Sequence, residues 1–338
     1  MRIFITGATG FIGGHLVRRL ARTEHEMRCL VRDPDGTKAR ALARRGAALV
    51  RGDVTDPESL RRGMAGCDWV VHLANVYSFW ERHPRVYEAV NVRGTAHLMA
   101  AALAAGVSKV VHLSTVEALA GAPRDTRYAR SKYAGEQRAW EFARRGLPLV
   151  VLSPAAVLGR GDTKPTGRYM RDLACRRIPF RLCEDTVLSV VHVRDVVEAI
   201  VQALEVPETV GGRYVIAGHL VSIGELNRMV GEIARVPLPR WRMPDALVLP
   251  LAALLTGIAR VTGRPPRWGL SLDQARVMRR GFRCDGAPAA RELGLDYSPI
   301  RDAVAEVVGG RCAEAGSVRG ARYAVLSGSS SGFGDASE

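Results

Sequence analysis

The sequence predicts an α/β fold, with a doubly wound parallel sheet and a smaller, mostly helical C-terminal part. Up to residue 155, short apolar runs such as "RIFIT" (2–6) alternate with amphipathic stretches such as "GGHLVRRLARTEHE". The runs show little polar alternation, which is typical of parallel strands covered by helices on both faces. Beyond residue 155 this regularity ends and helical stretches dominate. A length of 338 residues with 47% hydrophobic residues supports a substantial core.

The order of these runs predicts the domain organisation. Six strands are expected in the first domain, at 2–6, 27–31, 47–50, 69–73, 109–113 and 148–153. We predict that this domain covers residues 1–155, that a segment near 186–218 returns to it, and that residues 156–312 form a substrate-binding part. Residues 313–338 end in a Gly/Ser-rich stretch with almost no apolar residues to bury, so we predict a disordered tail.

Glycines follow the first predicted strand at the spacing of a phosphate-binding turn. The stretch "IFITGATGFIGGHL" places three of them between a strand and a helix. Gly7 permits a tight turn, Gly10 lets backbone N–H groups approach a pyrophosphate, and Gly13 lets the helix lie close to the sheet. The helix N-terminus adds free donors and the positive end of its dipole. We predict a dinucleotide site at Gly7, Thr9, Gly10, Phe11, Ile12 and Gly13.

The end of the second predicted strand favours NADP, with NAD as the alternative. In "CLVRDPDGTKAR", Arg32 comes first, and Lys38 and Arg40 follow within reach. An acidic residue here would bind the ribose of NAD, whereas an arginine would bind the 2′-phosphate of NADP. A guanidinium group suits a phosphate. Asp33 competes with this interpretation, because its carboxylate, if turned inward, would repel that phosphate.

The third and fourth predicted strands add further cofactor contacts. Asp53 of "RGDVTD" can accept from the adenine amino group; its other role would be a helix cap, for which Thr55 or Asp56 is better placed. Small residues end the fourth strand, where a cofactor could pass close to the backbone. The predicted contacts are Asp53, Val54, Leu73, Ala74 and Asn75.

Composition excludes several other classes of function. The net charge of +15 comes from basic residues spread through every segment, without the aromatic-interleaved stripe of a nucleic-acid site, so no nucleic-acid partner is expected. Six scattered cysteines lack a CxxC motif, and no His cluster has metal-ligand spacing. We therefore expect no metal and a reduced, cytoplasmic protein without a signal peptide.

One apolar run raises the question of a membrane. "ALVLPLAALL" (246–255) has about half the length of a membrane span and contains a proline, so a core or interfacial helix is expected. This run is flanked in the sequence by arginines at 240, 242, 260, 264 and 267. Peripheral membrane contact through 243–261 is therefore retained as an alternative.

Tyr128 and Lys132 lie four residues apart in "TRYARSKYAGE", on one face of a predicted helix. A phenol with its usual pKa of about 10 relays protons slowly at neutral pH, and an ammonium group beside it would favour the ionised form. The pair alone does not distinguish a catalytic site from two polar side chains on an exposed face.

Taken together, the motifs resemble the extended short-chain dehydrogenase/reductase superfamily, which includes the NAD-dependent epimerase/dehydratase family. The nearest branch contains dihydroflavonol reductases, 3β-hydroxysteroid dehydrogenases and hopanoid-associated epimerase-like proteins. The resemblance covers about residues 1–310. It rests on "TGATGFIGGHL", "VRDPDGTK", "GDVTD", "VHLA", "NVRGT", "HLSTVEALAG", "YARSK" and "VHVRDVVEAI", with "GRGDTKPTGRYM" and "GRPPRW" resembling the hopanoid-associated members.

The resemblance implies catalytic roles for several residues. Tyr128 would be the general acid/base, and Lys132 would lower its pKa and bind the nicotinamide ribose. The hydroxyl that holds the substrate oxygen aligns best with Thr115, with Ser114 as the neighbouring candidate, because successive strand residues point to opposite faces. Pro154 and Val157 would lie against the nicotinamide.

The chain also departs from the family pattern. Only 13 positions separate Thr115 from Tyr128, so an acidic, Pro-containing loop is missing and the substrate pocket is expected to differ in shape. Asn91 resembles the asparagine that braces the active-site strand, and His192 is expected to bind loop backbone.

Three functions are compatible with these residues. The leading interpretation is an NADPH-dependent oxidoreductase that reduces a ketone or oxidises a secondary alcohol on a bulky, lipophilic small molecule. The first alternative is a nucleotide-sugar epimerase or dehydratase, although Glu117 lacks the paired aspartate that dehydration needs. The second is a non-catalytic dinucleotide sensor, which the presence of both Tyr128 and Lys132 disfavours. A homodimer through the helices after the fourth and fifth strands is an open expectation.

Overall fold

The computed structural model describes residues 1–309. Its central sheet contains seven parallel strands, β1 Arg2–Thr6, β2 Glu26–Val31, β3 Ala48–Arg51, β4 Trp69–His72, β5 Lys109–Leu113, β6 Leu149–Pro154 and β10 Arg213–Ile216. They are arranged in the order β10-β6-β5-β4-β1-β2-β3. All six predicted strands are present, and the predicted fold class is confirmed.

The other strands form two small sheets. β7 Ala156–Leu158, β9 Val187–His192 and β11 His219–Ser222 make a three-stranded sheet, in which β9 pairs parallel with β7 and antiparallel with β11. β8 Phe180–Arg181 and β12 Trp241–Arg242 form a parallel pair.

Twelve α-helices surround the sheets within residues 1–309. The first five are α1 Phe11–Leu20, α2 Thr37–Ala43, α3 Pro57–Met64, α4 Thr95–Ala105 and α5 Arg127–Ala143. The later ones are α6 Pro165–Ala174, α7 Val193–Glu205, α8 Ile223–Ala234, α9 Asp245–Thr262, α10 Leu272–Arg280, α11 Ala287–Leu293 and α12 Ile300–Val308. A π-helical segment, Tyr87–Gly94, leads into α4.

The central sheet is buried on both faces. Alternate residues of β1 point in opposite directions, so Ile3 and Ile5 contribute to one core with α1 and α7, while Phe4 contributes to the other with α3 and α4. A third core lies in the C-terminal part, among α6, α8, α9 and α12. This double coverage explains the near-continuous apolar runs in the sequence.

The segment 186–218 is divided between the sheets. β10 pairs with β6 at the edge of the central sheet and α7 packs against α1, whereas β9 belongs to the three-stranded sheet. His192 caps α7 by accepting from the Arg194 N–H at 3.0 Å. The predicted tail at 313–338 lies outside the described residues.

The topology fixes where a ligand can bind. The chain builds β1, β2 and β3 outward on one side, then crosses back to place β4 on the other side of β1. At such a switch point the loops after neighbouring strands diverge and leave a crevice at the carboxyl ends. The glycine turn follows β1, Asn75 follows β4 and Thr115 follows β5, so the predicted site residues come from the loops that border this crevice.

Candidate active site

The glycine turn has the shape of a phosphate cradle. Gly7 has a φ of +73°, and the Gly10 N–H donates to its carbonyl at 2.9 Å. A Cβ on Gly7 would lie 2.6 Å from the Ala74 nitrogen, and one on Gly13 would lie 2.3 Å from the Gly7 oxygen. Both contacts exclude larger residues. Gly10 supplies no capping side chain to α1, so the first-turn N–H groups, beside the half-buried Phe11 and Ile12, can face an anion.

The charged side chains after β2 differ in whether they have partners. Asp33 Oδ1 accepts from the Asp35 N–H at 3.1 Å, so this carboxylate serves its own turn. Arg32 and Lys38 are exposed, and neither forms an ion pair with any residue of 1–309. The competing carboxylate is thereby occupied locally, while two cations at this edge of the crevice remain available.

The predicted adenine contact and the helix cap are separate residues. Asp53 Oδ1 accepts from both the N–H and the hydroxyl of Thr55 at 2.8 Å, whereas Asp56 caps α3 by accepting from the Glu58 N–H at 3.0 Å. Val54 is buried against Gly94. The expectation that Asp56 suits the cap better than Asp53 is confirmed.

The residues after β4 line the crevice beside the glycine turn. Leu73 is buried, and the Ala74 N–H donates to the Thr6 hydroxyl at 3.3 Å. The Asn75 amide donates to the Leu73 carbonyl at 3.1 Å, but its buried Oδ1 accepts from no residue within 1–309. A buried acceptor without a donor is costly, so this atom fits a hydroxyl or amide supplied by a bound cofactor.

Helix α5 is pressed directly against the π-helical segment. A Cβ on Gly135 would lie 2.0 Å from the Asn91 carbonyl oxygen, so only glycine permits this approach. The Asn91 amide donates to the Ser131 hydroxyl at 2.9 Å, which in turn donates to the Tyr128 carbonyl at 2.8 Å. Asn91 also bonds the N–H and the carbonyl of Val76, at 2.7 and 3.2 Å. One amide thereby fixes the position of α5 relative to the loop after β4.

Tyr128 is enclosed by aromatic rings rather than exposed. It is 6% exposed, with the Tyr77 and Phe79 ring centroids 4.8 and 5.9 Å from its own. Burial raises its pKa well above the usual value, Tyr77 and Glu117 add to the rise, and a hydrogen bond with the Thr115 side chain opposes it. The Thr115 side chain, predicted as a neighbour of the phenol, is thus close enough to affect its pKa, and its hydroxyl accepts from the Glu117 N–H at 3.3 Å.

Lys132 acts on the active-site strand rather than on the phenol. Its Nζ donates to the Leu113 carbonyl at 2.7 Å, and burial lowers its pKa to about 8, with Glu136 opposing the change. The structure therefore differs from the expectation that Lys132 lowers the pKa of Tyr128. The reason is geometric: the last carbonyl of β5 lies beside the buried ammonium and accepts a hydrogen bond from it.

Ser114 points away from Tyr128. Its hydroxyl donates to the buried Glu136 carboxylate, which also accepts from Arg213 and, at 3.2 Å, from the Trp140 ring N–H. Adjacent residues after β5 thus have different partners: the Thr115 hydroxyl accepts from the Glu117 N–H beside the phenol, and Ser114 donates to the carboxylate.

The residues after β6 contribute the remaining predicted contacts. Pro154 ends β6 and is buried, and Val157 lies half-buried on β7. Both follow a strand that neighbours β5, so they lie at the same edge of the sheet as Thr115. The Ser153 hydroxyl is buried without a hydrogen-bond partner among residues 1–309.

Two buried carboxyl groups near Tyr77 were not predicted as site residues. Burial raises the pKa of Glu117 to about 7 and that of Asp162 to about 6, and both groups raise the pKa of Tyr77. Arg280 lies 3.6 Å from Glu117 and partly offsets its burial. The position of Tyr77, shortly after β4, was the available sequence signal; the carboxyl groups come together only in the fold.

The raised pKa of Glu117 predicts a pH-dependent gain in stability for Glu117→Gln. Protonation is favoured in the folded state, so this group costs stability as pH rises from about 4.5 to about 7. At pH 8 the free energy of unfolding of the variant should be about 3 kcal/mol higher than that of the parent. This difference should vanish below about pH 4.5. Urea denaturation across this range measures it. Glu88→Gln, at an exposed position, is the control; equal gains in both variants would contradict the assignment.

Comparisons with known proteins agree with this geometry. The sequence model of the NAD dependent epimerase/dehydratase family matches residues 3–217. Sterol demethylase protein B of Methylococcus capsulatus is 31% identical over 91% of this chain and 97% of its own length. Ceramide reductase of Caulobacter vibrioides is 31% identical over 88% of this chain and 90% of its own.

Solved structures show the same fold. The crystal structure of gox2253 superposes with a TM-score of 0.77 at 32% identity, covering 91% of this chain and 96% of that one. UDP-glucose 4-epimerase of Thermotoga maritima superposes with a TM-score of 0.71 at 22% identity, over 91% and 98% of the two chains. The chain is therefore a member of the NAD-dependent epimerase/dehydratase family, within the extended short-chain dehydrogenase/reductase superfamily.

Proposed function

We propose that this protein is an NADPH-dependent oxidoreductase that interconverts a ketone and a secondary alcohol on a bulky, lipophilic small molecule. The observation that carries the proposal is the burial of the Tyr128 phenol beside the Thr115 side chain, within a cluster of aromatic rings. A proton donor and a hydroxyl able to bind an oxygen would then lie together, at the edge of the sheet where the glycine turn lies.

The residues present fit NADP. The first turn of α1 would hold the pyrophosphate, and Asn75 Oδ1 offers a buried acceptor. Arg32 and Lys38 would bind the 2′-phosphate, because Asp33 is engaged in its own turn. The bound cofactor supplies or accepts the hydride, and the protein supplies orientation and electrostatics.

The buried phenol carries a proton that it can donate during ketone reduction, and its raised pKa makes it a weaker acid than a free tyrosine. Its raised pKa keeps the Tyr128 hydroxyl protonated at neutral pH. As the substrate oxygen gains negative charge, Tyr128 transfers its proton to that oxygen while the Thr115 hydroxyl holds it by a hydrogen bond. Asn91 and Ser131 hold α5, and hence the phenol, in position through this step.

Two observations support a lipophilic substrate. Apolar side chains surround the phenol, including Phe79 and, from α10, Val277. The names of the two relatives described above refer to a sterol and a ceramide, both of which are lipids. An apolar pocket with a few polar groups is the usual form of a small-molecule site.

A nucleotide-sugar epimerase is the second candidate, and one feature favours it. A cleft of about 520 Å³ next to Phe282, which packs on the same aromatic cluster as Tyr128, is lined by Arg279, Arg283 and Asp185, and by Arg280, which is paired with Glu117 and Asp125. Guanidinium groups suit a diphosphate. Dehydration is less favoured because Glu117 has no adjacent acidic residue, and a non-catalytic sensor has no need of the assembled phenol and hydroxyl.

We further propose a cytoplasmic protein that dimerises through α4 and α5 and contacts a membrane through residues 243–261. Contact with a membrane is consistent with a lipophilic substrate, because such a molecule would be found mostly in membranes.

NADPH consumption distinguishes the two enzymatic candidates. With a panel of ketones we expect one NADPH oxidised per alcohol formed, and with nucleotide sugars no net oxidation. Tyr128→Phe should reduce kcat by about 10²-fold or more, because the proton donor is removed. Tyr133→Phe, on the same helix with its ring under Arg124, should retain activity. Full turnover by Tyr128→Phe would refute the mechanism.

Substitutions at the end of β5 separate the two adjacent hydroxyl groups. Thr115→Val should lower kcat by about tenfold or more, because the substrate oxygen loses its hydrogen bond. Ser114→Ala should keep most of kcat but lower the unfolding free energy by about 1–3 kcal/mol, since a buried carboxylate loses a donor. Steady-state kinetics and urea denaturation measure both. The reverse pattern would assign the catalytic hydroxyl to Ser114.

Removal of Arg32 tests the choice of cofactor. Arg32→Ala should raise KM for NADPH by about tenfold, and leave KM for NADH unchanged, because only NADPH carries the 2′-phosphate. Arg40→Ala is the matched control, since Arg40 is exposed nearby but faces Asp35 at 3.8 Å. If the parent enzyme prefers NADH to NADPH, the prediction that NADP is the cofactor is wrong.

A further inference from the structure

Helix α9 has one face attached to the protein and one exposed apolar face. Its buried residues, Val248, Ala252, Thr256 and Ala259, follow helical spacing and form a single stripe. On the other side Leu247, Leu254, Ile258 and Val261 are between 50% and 90% exposed. The helix has a mean hydropathy of 1.5, yet only 22% of it is buried. Its apolar composition is therefore not explained by the core that residues 1–309 form.

Exposed apolar surface is concentrated in this region. Within residues 1–309, eight large hydrophobic side chains are exposed, and five of them lie between Trp241 and Val261. Trp241, in the strand just before α9, is 73% exposed. Leu247, Leu254, Ile258 and Val261 recur at helical spacing and so form one stripe rather than single scattered residues, which indicates a surface that binds something.

Arginines lie at both ends of the apolar face. Arg240 and Arg242 precede α9, and Arg260, Arg264 and Arg267 end or follow it, whereas Asp245 is the only acidic residue between positions 240 and 267. Arg82 adds to the second group, since its guanidinium lies close to Gly263. Arg240, Arg260 and Arg264 are exposed and form no ion pair with residues of 1–309. Exposed apolar side chains flanked by such cations match the acyl chains and anionic headgroups of a lipid surface.

The charge pattern argues against two other occupants. In a symmetric dimer the same patch meets itself, which would bring these arginines close to one another. Passage through the bilayer is disfavoured because the buried stripe is fixed to α10: the Leu272 N–H donates to the Thr256 hydroxyl at 2.8 Å. With one face held by protein, the helix can lie along a membrane surface but cannot be surrounded by lipid.

The apolar face is close to the proposed active site. α10 packs between α9 and the aromatic cluster, where its Val277 contacts the group that contains Tyr128. The Ser271 hydroxyl, at the start of α10, donates to the Phe79 carbonyl at 2.9 Å. One layer of helix thus separates the exposed surface from the rings around the phenol.

We propose that Trp241 and the exposed face of α9 dock on a bilayer that contains anionic lipids, and that a lipophilic ketone reaches the pocket from that bilayer. The docking stands independently of the reaction, whereas the delivery of substrate rests on the proposed oxidoreductase function.

Vesicle sedimentation tests the docking. The full-length protein should bind vesicles of phosphatidylcholine with about a quarter phosphatidylglycerol at least tenfold more tightly than vesicles of phosphatidylcholine alone, and added salt should weaken this binding. Leu254→Asp combined with Ile258→Asp should reduce binding at least tenfold, because charged groups replace the inserted side chains. Arg260→Glu combined with Arg264→Glu should remove the preference for anionic vesicles.

Controls establish that these effects are local. Val210→Asp alters an exposed apolar residue outside this region and should bind vesicles as the parent does. The substitutions on α9 are at the surface, so thermal unfolding should be unchanged. Equal binding to both kinds of vesicle, or an unaffected Leu254→Asp, Ile258→Asp variant, would overturn the proposal. A further outcome would also overturn it: the parent is a dimer that binds no vesicles, and the Leu254→Asp, Ile258→Asp variant is a monomer. That result would identify a protein interface instead.

Enzyme assays separate this inference from the proposed function. The α9 variant should reduce a short water-soluble ketone at the parent rate, but a ketone embedded in anionic vesicles at least tenfold more slowly. If no ketone is reduced while the parent binds vesicles, the oxidoreductase proposal fails and the docking surface stands. If ketones are reduced but vesicles are not bound, the docking inference fails alone.

Discussion

The geometry of the candidate site depends on one buried contact, between the Asn91 side chain and the elements on either side of it. Asn91 bonds both backbone groups of Val76 after β4 and the hydroxyl of Ser131 on α5. Gly135 allows the helix to come close enough for this contact to form. The phenol, the loop that carries Tyr77 and Phe79, and the crevice beside the glycine turn are therefore positioned by the same amide. A buried network of this kind is rigid only when every member is satisfied.

Burial determines the protonation of the groups around this contact. It raises the pKa of Tyr128 and of Glu117, and it lowers that of Lys132 to about 8 and that of His72 to about 3. Each shift favours the neutral form, as expected where charge is poorly solvated. The site therefore presents a protonated phenol at neutral pH, and its few charges, such as the Glu136 carboxylate with Arg213, are paired at its edge.

The C-terminal part has two surfaces, one packed against the rings around Tyr128 and one exposed. Its inner side supplies Val277 and Phe282 to the rings around Tyr128, and its outer side exposes the apolar face of α9. α10 connects the two, because it contacts both the aromatic cluster and α9. The helices added to the sheet therefore pack on the aromatic cluster around Tyr128 and also leave an apolar surface exposed.

The sequence by itself determined the fold class, the six strands of the first domain and the glycine turn, because these depend on local periodicity and on spacing along the chain. It also singled out Tyr128, Thr115 and Asn91 as candidates, since short motifs carry them, and their catalytic or positioning roles stay predictions. Tertiary structure decided what local patterns do not encode: that Lys132 bonds the Leu113 carbonyl rather than the phenol, that Ser114 faces Glu136, and that Glu117 and Asp162 are buried near Tyr77. It also decided that α9 is largely exposed, although its composition resembles that of a core helix. Such outcomes depend on which distant side chains share a buried volume, and so on long-range packing rather than on the order of residues nearby.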